Sequence, residues 1–292
     1  MPMQQVITLI AGPGAEAALP GCAGTLIATL GGEVDWLSPT ACDIAADHDM
    51  ADAEALARAA VGGRPIDVVV QPAAERKKRL LVADLESTII ENEMLEELAD
   101  FLGMRAHVAE ITRRAMNGEI DFVGALNERV ALLRGMPASV LGAAASRIRL
   151  MPGAQLLLAT LRRAGVYTAL VSGGFTVFAE PVAARLGFDR VVANRLDIAD
   201  GKLTGTLIPP IVGAATKRET LNSLAGELGL GLGATMAVGD GANDLPMLQD
   251  AGLGIAFRAK PAVAAAARWR IEHGDLTALL YAQGYRQPEI RA

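Results

Sequence analysis

Three short, mainly apolar runs, each stopping at a polar loop, constrain this chain more than anything else in its sequence. Leu80–Ala83 runs straight into Asp84, residues 166–171 into Ser172-Gly-Gly174, and residues 235–238 into Gly239-Asp-Gly. A strand without polar alternation is buried on both faces, as in a parallel sheet covered by helices on either side. Helices predicted over 155–164, 177–186, 217–228 and 244–250 alternate with these runs, and a last clear strand covers 252–256. A short strand at 191–193 leads to a hairpin around Lys202, with Asp200-Gly201 as its turn. Between the first two strands lies a mostly helical stretch, 93–149, too long for a simple crossover. It reads as an inserted cap.

Residues 1–75 read as a separate unit. Strands over 5–11, 34–37, 41–45 and 66–70 and helices over 19–30 and 52–60 follow the order β-α-β-β-α-β, which predicts a ferredoxin-like α+β sandwich. The charged stretch 75–79 reads as a solvated linker. The expected division is therefore 1–75, and an α/β core over 76–292 with its cap inserted at about 93–150, in keeping with 292 residues. Aromatic residues are only 4% of a chain that is 51% apolar, so the cores must be built from Ala, Val, Leu and Ile. A net charge of −6 argues against a nucleic-acid binder that works by neutralising phosphates. Cys22 and Cys42 are expected to be reduced. With no basic leader and no 18-residue apolar run, a soluble cytoplasmic protein is expected, with no membrane partner. His48, His107 and His273 show no metal-ligand spacing and read as incidental.

Ligands of open parallel sheets gather at the carboxyl ends of the strands, where the three polar loops lie. Singly, each has an ordinary explanation: Asp84 a helix cap, Ser172-Gly-Gly a turn, Lys217 after Thr216 a solvated charge at a helix start. Together and in this order they form a pattern. Asp84-Leu-Glu-Ser-Thr88, Ser172-Gly-Gly-Phe175, Lys217 and Gly239-Asp-Gly-Ala-Asn-Asp244 resemble the haloacid dehalogenase superfamily of phosphohydrolases. The cap residues Arg113-Arg-Ala-Met-Asn-Gly118, Asp121-Phe122 and Arg129-Val130, with Met151-Pro-Gly153 and Ala193-Asn-Arg-Leu196, narrow the resemblance to its phosphoserine phosphatases, over roughly residues 79–275.

The resemblance implies a Rossmann-like parallel sheet with a helical cap. It also implies Mg²⁺-dependent hydrolysis of O-phospho-L-serine to L-serine and phosphate, the last step of serine biosynthesis. Hydrolysing a phosphate monoester needs a nucleophile, an acid for the leaving alkoxide and positive charge around the phosphoryl group. By resemblance Asp84 is the nucleophile, forming an aspartyl-phosphate, and Lys217 supplies fixed charge. The metal ligands it implies are the carboxylates of Asp84 and Asp240 and the main-chain carbonyl of Glu86, with Asp244 orienting the metal's surroundings. Ser172 and Gly173 are expected to hydrogen-bond the phosphoryl oxygens, and Asn243 to hold the phosphate or Lys217.

Glu86 departs from the family pattern, which usually carries Asp two residues after the nucleophile as general acid and base. The carboxyl survives on a longer arm, and proton transfer depends on its reach. Substrate choice is expected in the cap: Arg129 for the carboxylate, Glu93 for the ammonium, Met116 and Phe122 as apolar walls. From the residues alone, Glu93 and Arg129 read equally as a helix-surface ion pair. Gly103 and Met151-Pro-Gly153 are hinge candidates. The alternatives are a phosphatase or phosphotransferase for another small phosphorylated alcohol, or a phosphoserine-binding regulator weakened in turnover at Glu86. The N-terminal unit resembles ACT-like regulatory domains, which implies amino-acid binding or contacts within a homodimer.

Overall fold

The computed structural model describes residues 5–116 and 119–292. The N-terminal layer runs β1 (Gln5–Ala11), α1 (Leu19–Leu30), β2 (Val34–Ser38), β3 (Ala41–Ala46), α2 (Met50–Val61) and β4 (Ile66–Pro72). Its sheet has the order β2-β3-β1-β4, all antiparallel, as a ferredoxin-like sandwich requires. Asp49 starts α2 by accepting a hydrogen bond from the Asp52 amide. Alternation along the strands divides the faces. Ile7, Leu9, Ile44, Val68 and Val70 pack with Leu19 and Leu26 of α1. Ile10, Leu37, Ala41 and Val69 point the other way and join the core of the larger layer.

The larger layer begins with β5 (Leu80–Ala83), then the cap helices α3 (Met94–Phe101), α4 (Arg105–Met116), α5 (Phe122–Ala131) and α6 (Ser139–Ala145). It continues with α7 (Ala154–Arg163), β6 (Tyr167–Phe175), α8 (Thr176–Leu186), β7 (Arg190–Ala199), β8 (Lys202–Ile208) and α9 (Ala214–Glu227). It ends with β9 (Thr235–Gly239), α10 (Leu245–Asp250), β10 (Leu253–Phe257), α11 (Pro261–Ala266), β11 (Trp269–Ile271) and α12 (Ala278–Ala282). The strand order is β11-β10-β9-β5-β6-β7-β8. Pairing is parallel except for β8, which returns antiparallel on β7 through the Asp200-Gly201 turn, both residues at positive φ. β5 lies between β6 and β9, with Ala83 level with Leu170 and Val238. That register brings the polar loops after β5 and β9 together with Ser172-Gly-Gly174, which was expected as a loop but lies inside the far end of β6, where its pairing with β7 is irregular.

Two expectations are corrected here. The stretch 75–79 is only partly a solvated linker: Glu75, Lys77 and Arg79 are exposed, but Arg76 and Lys78 turn inward. Arg76 sits 2.7 Å from Asp43 and also donates to Thr8 Oγ1 and the Ala282 carbonyl, tying the N-terminal sheet to the larger layer. Lys78 is 6% exposed, and its ammonium donates to the carbonyls of Glu75 and Gly233. Polar groups on the core-facing side of the N-terminal sheet need partners once that side is buried, and the charged stretch supplies them. The strand over 252–256 is also not the last, because β11 adds a parallel edge, with Trp269 Nε1 donating to the Val70 carbonyl at 2.6 Å.

The cap enters and leaves on a paired stalk. Ile90 bridges Leu150, the Glu91 amide donates to the Arg149 carbonyl, and the Met151 amide donates to the Ile89 carbonyl. Asn92, buried, closes the stalk by accepting from the Arg149 amide and donating to the Arg147 carbonyl. Met151-Pro-Gly153 lies at the return crossing into α7. Gly103 does not lie at a crossing: it links α3 to α4 inside the cap. No helix among the described residues is long and apolar enough to cross a membrane. Cys22 and Cys42 are buried and free.

Candidate active site

Asp84 is the first residue beyond β5, its amide fixed by the Val238 carbonyl at 3.0 Å. In the first turns of α9, Lys217 is fully buried, its ammonium 2.7 Å from Asp84 Oδ1 and 2.6 Å from Asp244 Oδ1. The other Asp244 oxygen accepts from the Gly241 amide at 2.9 Å, which holds the loop after β9. Oxygens of Asp84, Asp240 and Asp244 all come within 4.8 Å of one another. Two of these three buried carboxylates, Asp84 and Asp244, thus share one buried ammonium, with Asp240 beside them. This oxygen-only donor set with surplus negative charge suits a hard divalent cation. Burial pushes Asp84 up, with Lys217 pulling back and Asp244 pushing up again. Burial raises Asp240 to about 6 against the pull of Lys260.

A cavity of about 430 Å³ opens over this cluster. Its core side carries Asp84, Ser172, Gly173, Asp240 and Asn243, and its cap side Glu93, Phe122 and Arg129. Ser172 accepts the Gly174 amide at 2.9 Å. The Gly173 carbonyl is held by Asn194, fully buried, whose side chain also accepts from the Val212 amide. The Phe122 ring lies over Gly173 and Gly213, so the cap touches the core beside the cluster. Asn243 lines the cavity, but Lys217 takes its side-chain partners from Asp84 and Asp244 rather than from Asn243. Met116 ends α4, and its side chain lies outside the described residues, as do Asn117 and Gly118.

The longer arm of Glu86 has room. Its Oε1 accepts the Met94 amide at 3.0 Å, at the start of α3. A Cβ at Gly174 would lie 2.8 Å from the same oxygen, so glycine there makes space for the carboxyl. Burial, then Glu93 and Asp84, hold the Glu86 carboxyl well above the usual range. Glu93 is oriented by Ser87, whose hydroxyl donates to it at 2.7 Å from a left-handed backbone position. Arg129 donates to the Ala125 carbonyl and lies 3.5 Å from Thr112 Oγ1. No carboxylate forms an ion pair with it among the described residues, so Glu93 and Arg129 are not an ion pair but two walls of one cavity.

Sequence reasoning missed Lys260, which lines the cavity with its ammonium 3.8 Å from Asp240 Oδ2. The rule that found the other residues would have found it, because it follows the carboxyl end of β10. Ser87 and Asn194 were within quoted motifs but had no role assigned to them.

A capped parallel sheet with a carboxylate after its central strand defines the class, and the sequence agrees: residues 81–249 match the haloacid dehalogenase-like hydrolase model, and the chain belongs to that family. Its relatives include a phosphoserine phosphatase of Mycobacterium tuberculosis, 45% identical over 78% of this chain and 56% of the relative. The chain thus spans little more than half of that relative. A haloacid dehalogenase family hydrolase from Salmonella enterica serovar Typhi superposes over 96% of this chain and 98% of its own, with TM-score 0.85 and 31% identity. A phosphoserine phosphatase solved as a phospho-aspartyl intermediate analogue covers 72% of this chain and all of its own, with TM-score 0.66 and 39% identity.

Proposed function

We propose that this chain hydrolyses O-phospho-L-serine to L-serine and phosphate through a phosphoryl ester on Asp84. The observation that carries this is one cavity with two chemically distinct halves. Asp84, Ser172 and Asn243 line a phosphoryl half on the core, with the Lys217 ammonium buried behind Asp84, and Glu93 faces Arg129 in an amino-acid half on the cap. A phosphorylated amino acid has that charge order: phosphate at one end, ammonium and carboxylate at the other. The names of the relatives agree with the reading.

The carboxylates of Asp84 and Asp240 and the main-chain carbonyl of Glu86 would hold Mg²⁺, with Asp244 orienting the site through Lys217 and the Gly241 amide. Bound there, the ion offsets the repulsion between carboxylate and phosphate dianion. Asp84 has one oxygen on Lys217 and attacks phosphorus with the other. Ser172, the Gly173 amide and Lys217 hold the phosphoryl oxygens as charge moves onto them, with Asn243 beside them. Glu86, its carboxyl pushed well above the usual range by burial and then by Glu93 and Asp84, is suited to give a proton to the departing serine oxygen. The resulting carboxylate takes a proton from the water that cleaves the aspartyl ester. Arg129 grips the substrate carboxylate, Glu93 the ammonium, and Phe122 closes the apolar side.

Phosphate release from a panel of phosphorylated metabolites, with and without Mg²⁺, tests the reading. O-phosphoserine should lead the panel and depend on the metal; a different leading substrate rejects the assignment. Arg129→Ala should raise KM for O-phosphoserine by roughly 10- to 100-fold while leaving an aryl phosphate within about threefold, since a buried charge-assisted pair is lost only for the first. Equal losses on both substrates would remove Arg129 from substrate reading. Glu86→Gln should lower kcat by about 10² to 10⁴. Near-normal turnover in that variant would show that the proton travels by another route.

A further inference from the structure

We infer that Asp67, in the N-terminal layer, is a positioning residue for the cap, acting on its return hinge through the loop 272–277. Asp67 sits on β4, 4% exposed, on the side that faces the larger layer. Its carboxylate has no cationic partner among the described residues. Instead it accepts three successive amides of one loop: Glu272 at 2.7 Å, His273 at 3.2 Å and Gly274 at 2.8 Å. Burial holds the Asp67 carboxyl above the usual carboxylate range, the three amides pull it back, and the three bonds together hold the loop to the N-terminal sheet.

The same loop bears on the cap hinge a few residues later. The Leu276 amide donates to the Pro152 carbonyl at 3.1 Å. Gly153, at φ +84, is so close that a Cβ there would lie 2.8 Å from the Thr277 amide and 2.9 Å from both the Leu276 amide and Asp275 Oδ1. Arg258 Nη2 donates to the Gly274 carbonyl at 3.0 Å, while its Nη1 lies 4.0 Å from Met151 Sδ. The loop is a shim, with Asp67 on one side and Met151-Pro-Gly153 on the other. Because the stalk strand leading into that hinge carries the cap, the placement of Glu93 and Arg129 over Asp84 rests on the shim. The N-terminal layer thereby contributes to substrate recognition without touching substrate.

The kinetic part of this inference rests on the proposed function; the hinge part does not. In the full chain, Asp67→Asn should raise KM for O-phosphoserine roughly tenfold and leave kcat/KM for p-nitrophenyl phosphate within about twofold, the scale of ordinary coupling between sites. Amide exchange of the free protein should speed up in 149–154 as well as in 272–277. Gln71→Ala is the control. It removes a bond from the same interface, to the Ala282 carbonyl, away from the hinge. It should lower the melting temperature without changing the substrate ratio or exchange in 149–154. Gly153→Ala presses the loop from the hinge side and should speed exchange at 272–274, which keeps the claim testable if Asp67→Asn folds poorly. Unchanged exchange at 149–154 in Asp67→Asn, or at 272–274 in Gly153→Ala, overturns the hinge claim. Equal kinetic losses on both substrates overturn the role in recognition. If wild type ignores O-phosphoserine, the functional reading fails and exchange alone decides the hinge.

Discussion

Asp84→Asn is expected to abolish phosphate release, lowering kcat by at least about 10⁴, the scale seen when a nucleophile is removed from a site that acts as a unit. It should not weaken the fold. Asp84 is one of three clustered buried carboxylates and one of the two that share the Lys217 ammonium, and Asn fills nearly the same volume without the charge. Lys217 keeps its 2.6 Å contact with Asp244. In metal-free protein the melting temperature of the variant should match or exceed that of wild type.

The pH dependence follows from the same cluster. A carboxyl whose folded pKa is raised favours the fold at low pH and loses that contribution as pH climbs through the folded value. For Asp240 the window runs from 3.8 to about 6. Asp84 is also pushed up, so the metal-free chain should lose stability with rising pH more steeply in wild type than in Asp84→Asn. A rapid-quench measurement on wild type with a slow substrate should find phosphate bound to residue 84. Persistent turnover in Asp84→Asn, with no label on that residue in wild type, would end the case for a covalent path.

The parts of the molecule that were legible in sequence are those that local pattern decides. β1, α1 and β5 fall where alternation, glycine stops and apolar runs placed them, because these signals come from the residues themselves. The strand-end loops announced the site for the same reason: in a parallel sheet, chain direction alone puts Asp84, Ser172 and Asp240 on one rim. What stayed hidden depends on partners far away in sequence. Asp67 and Gln71 look like ordinary polar breaks in an apolar strand, yet each is matched by backbone groups near the other end of the chain. Thr8 and Asp43 are matched by Arg76 in what reads as a linker. The available signal was a polar residue recurring on the sheet face away from the helices, which marks that face as docked rather than solvated. β11 escaped because three residues carry too little periodicity.

Lys217→Met should be the most destabilising single change in the site. Methionine restores most of the volume but leaves Asp84 and Asp244 buried without their cation. Breaking a buried pair from one side costs about 3–5 kcal/mol, equivalent to a melting-temperature drop of roughly 5–8 °C for a chain of this size. Catalysis should fall by about 10³ as well, since fixed positive charge at the phosphoryl oxygens is lost. The pH profile separates this cause from a simple packing defect. Burial alone would lower the Lys217 pKa, but Asp84 and Asp244 together hold it above the usual lysine value, so wild type keeps the ammonium. In the variant Asp84 loses the cation that pulls its pKa down and takes up a proton more readily, so the stability gap to wild type should narrow as pH falls. A packing defect would keep the gap constant. A double-mutant cycle gives the second check: in an Asp84→Asn background one of the two stranded charges is already gone, so Lys217→Met should cost clearly less than it does alone. Additive losses in that cycle would mean that the 2.7 Å contact between Lys217 and Asp84 carries no coupling, and the charge balance argued for the cluster would fail with it.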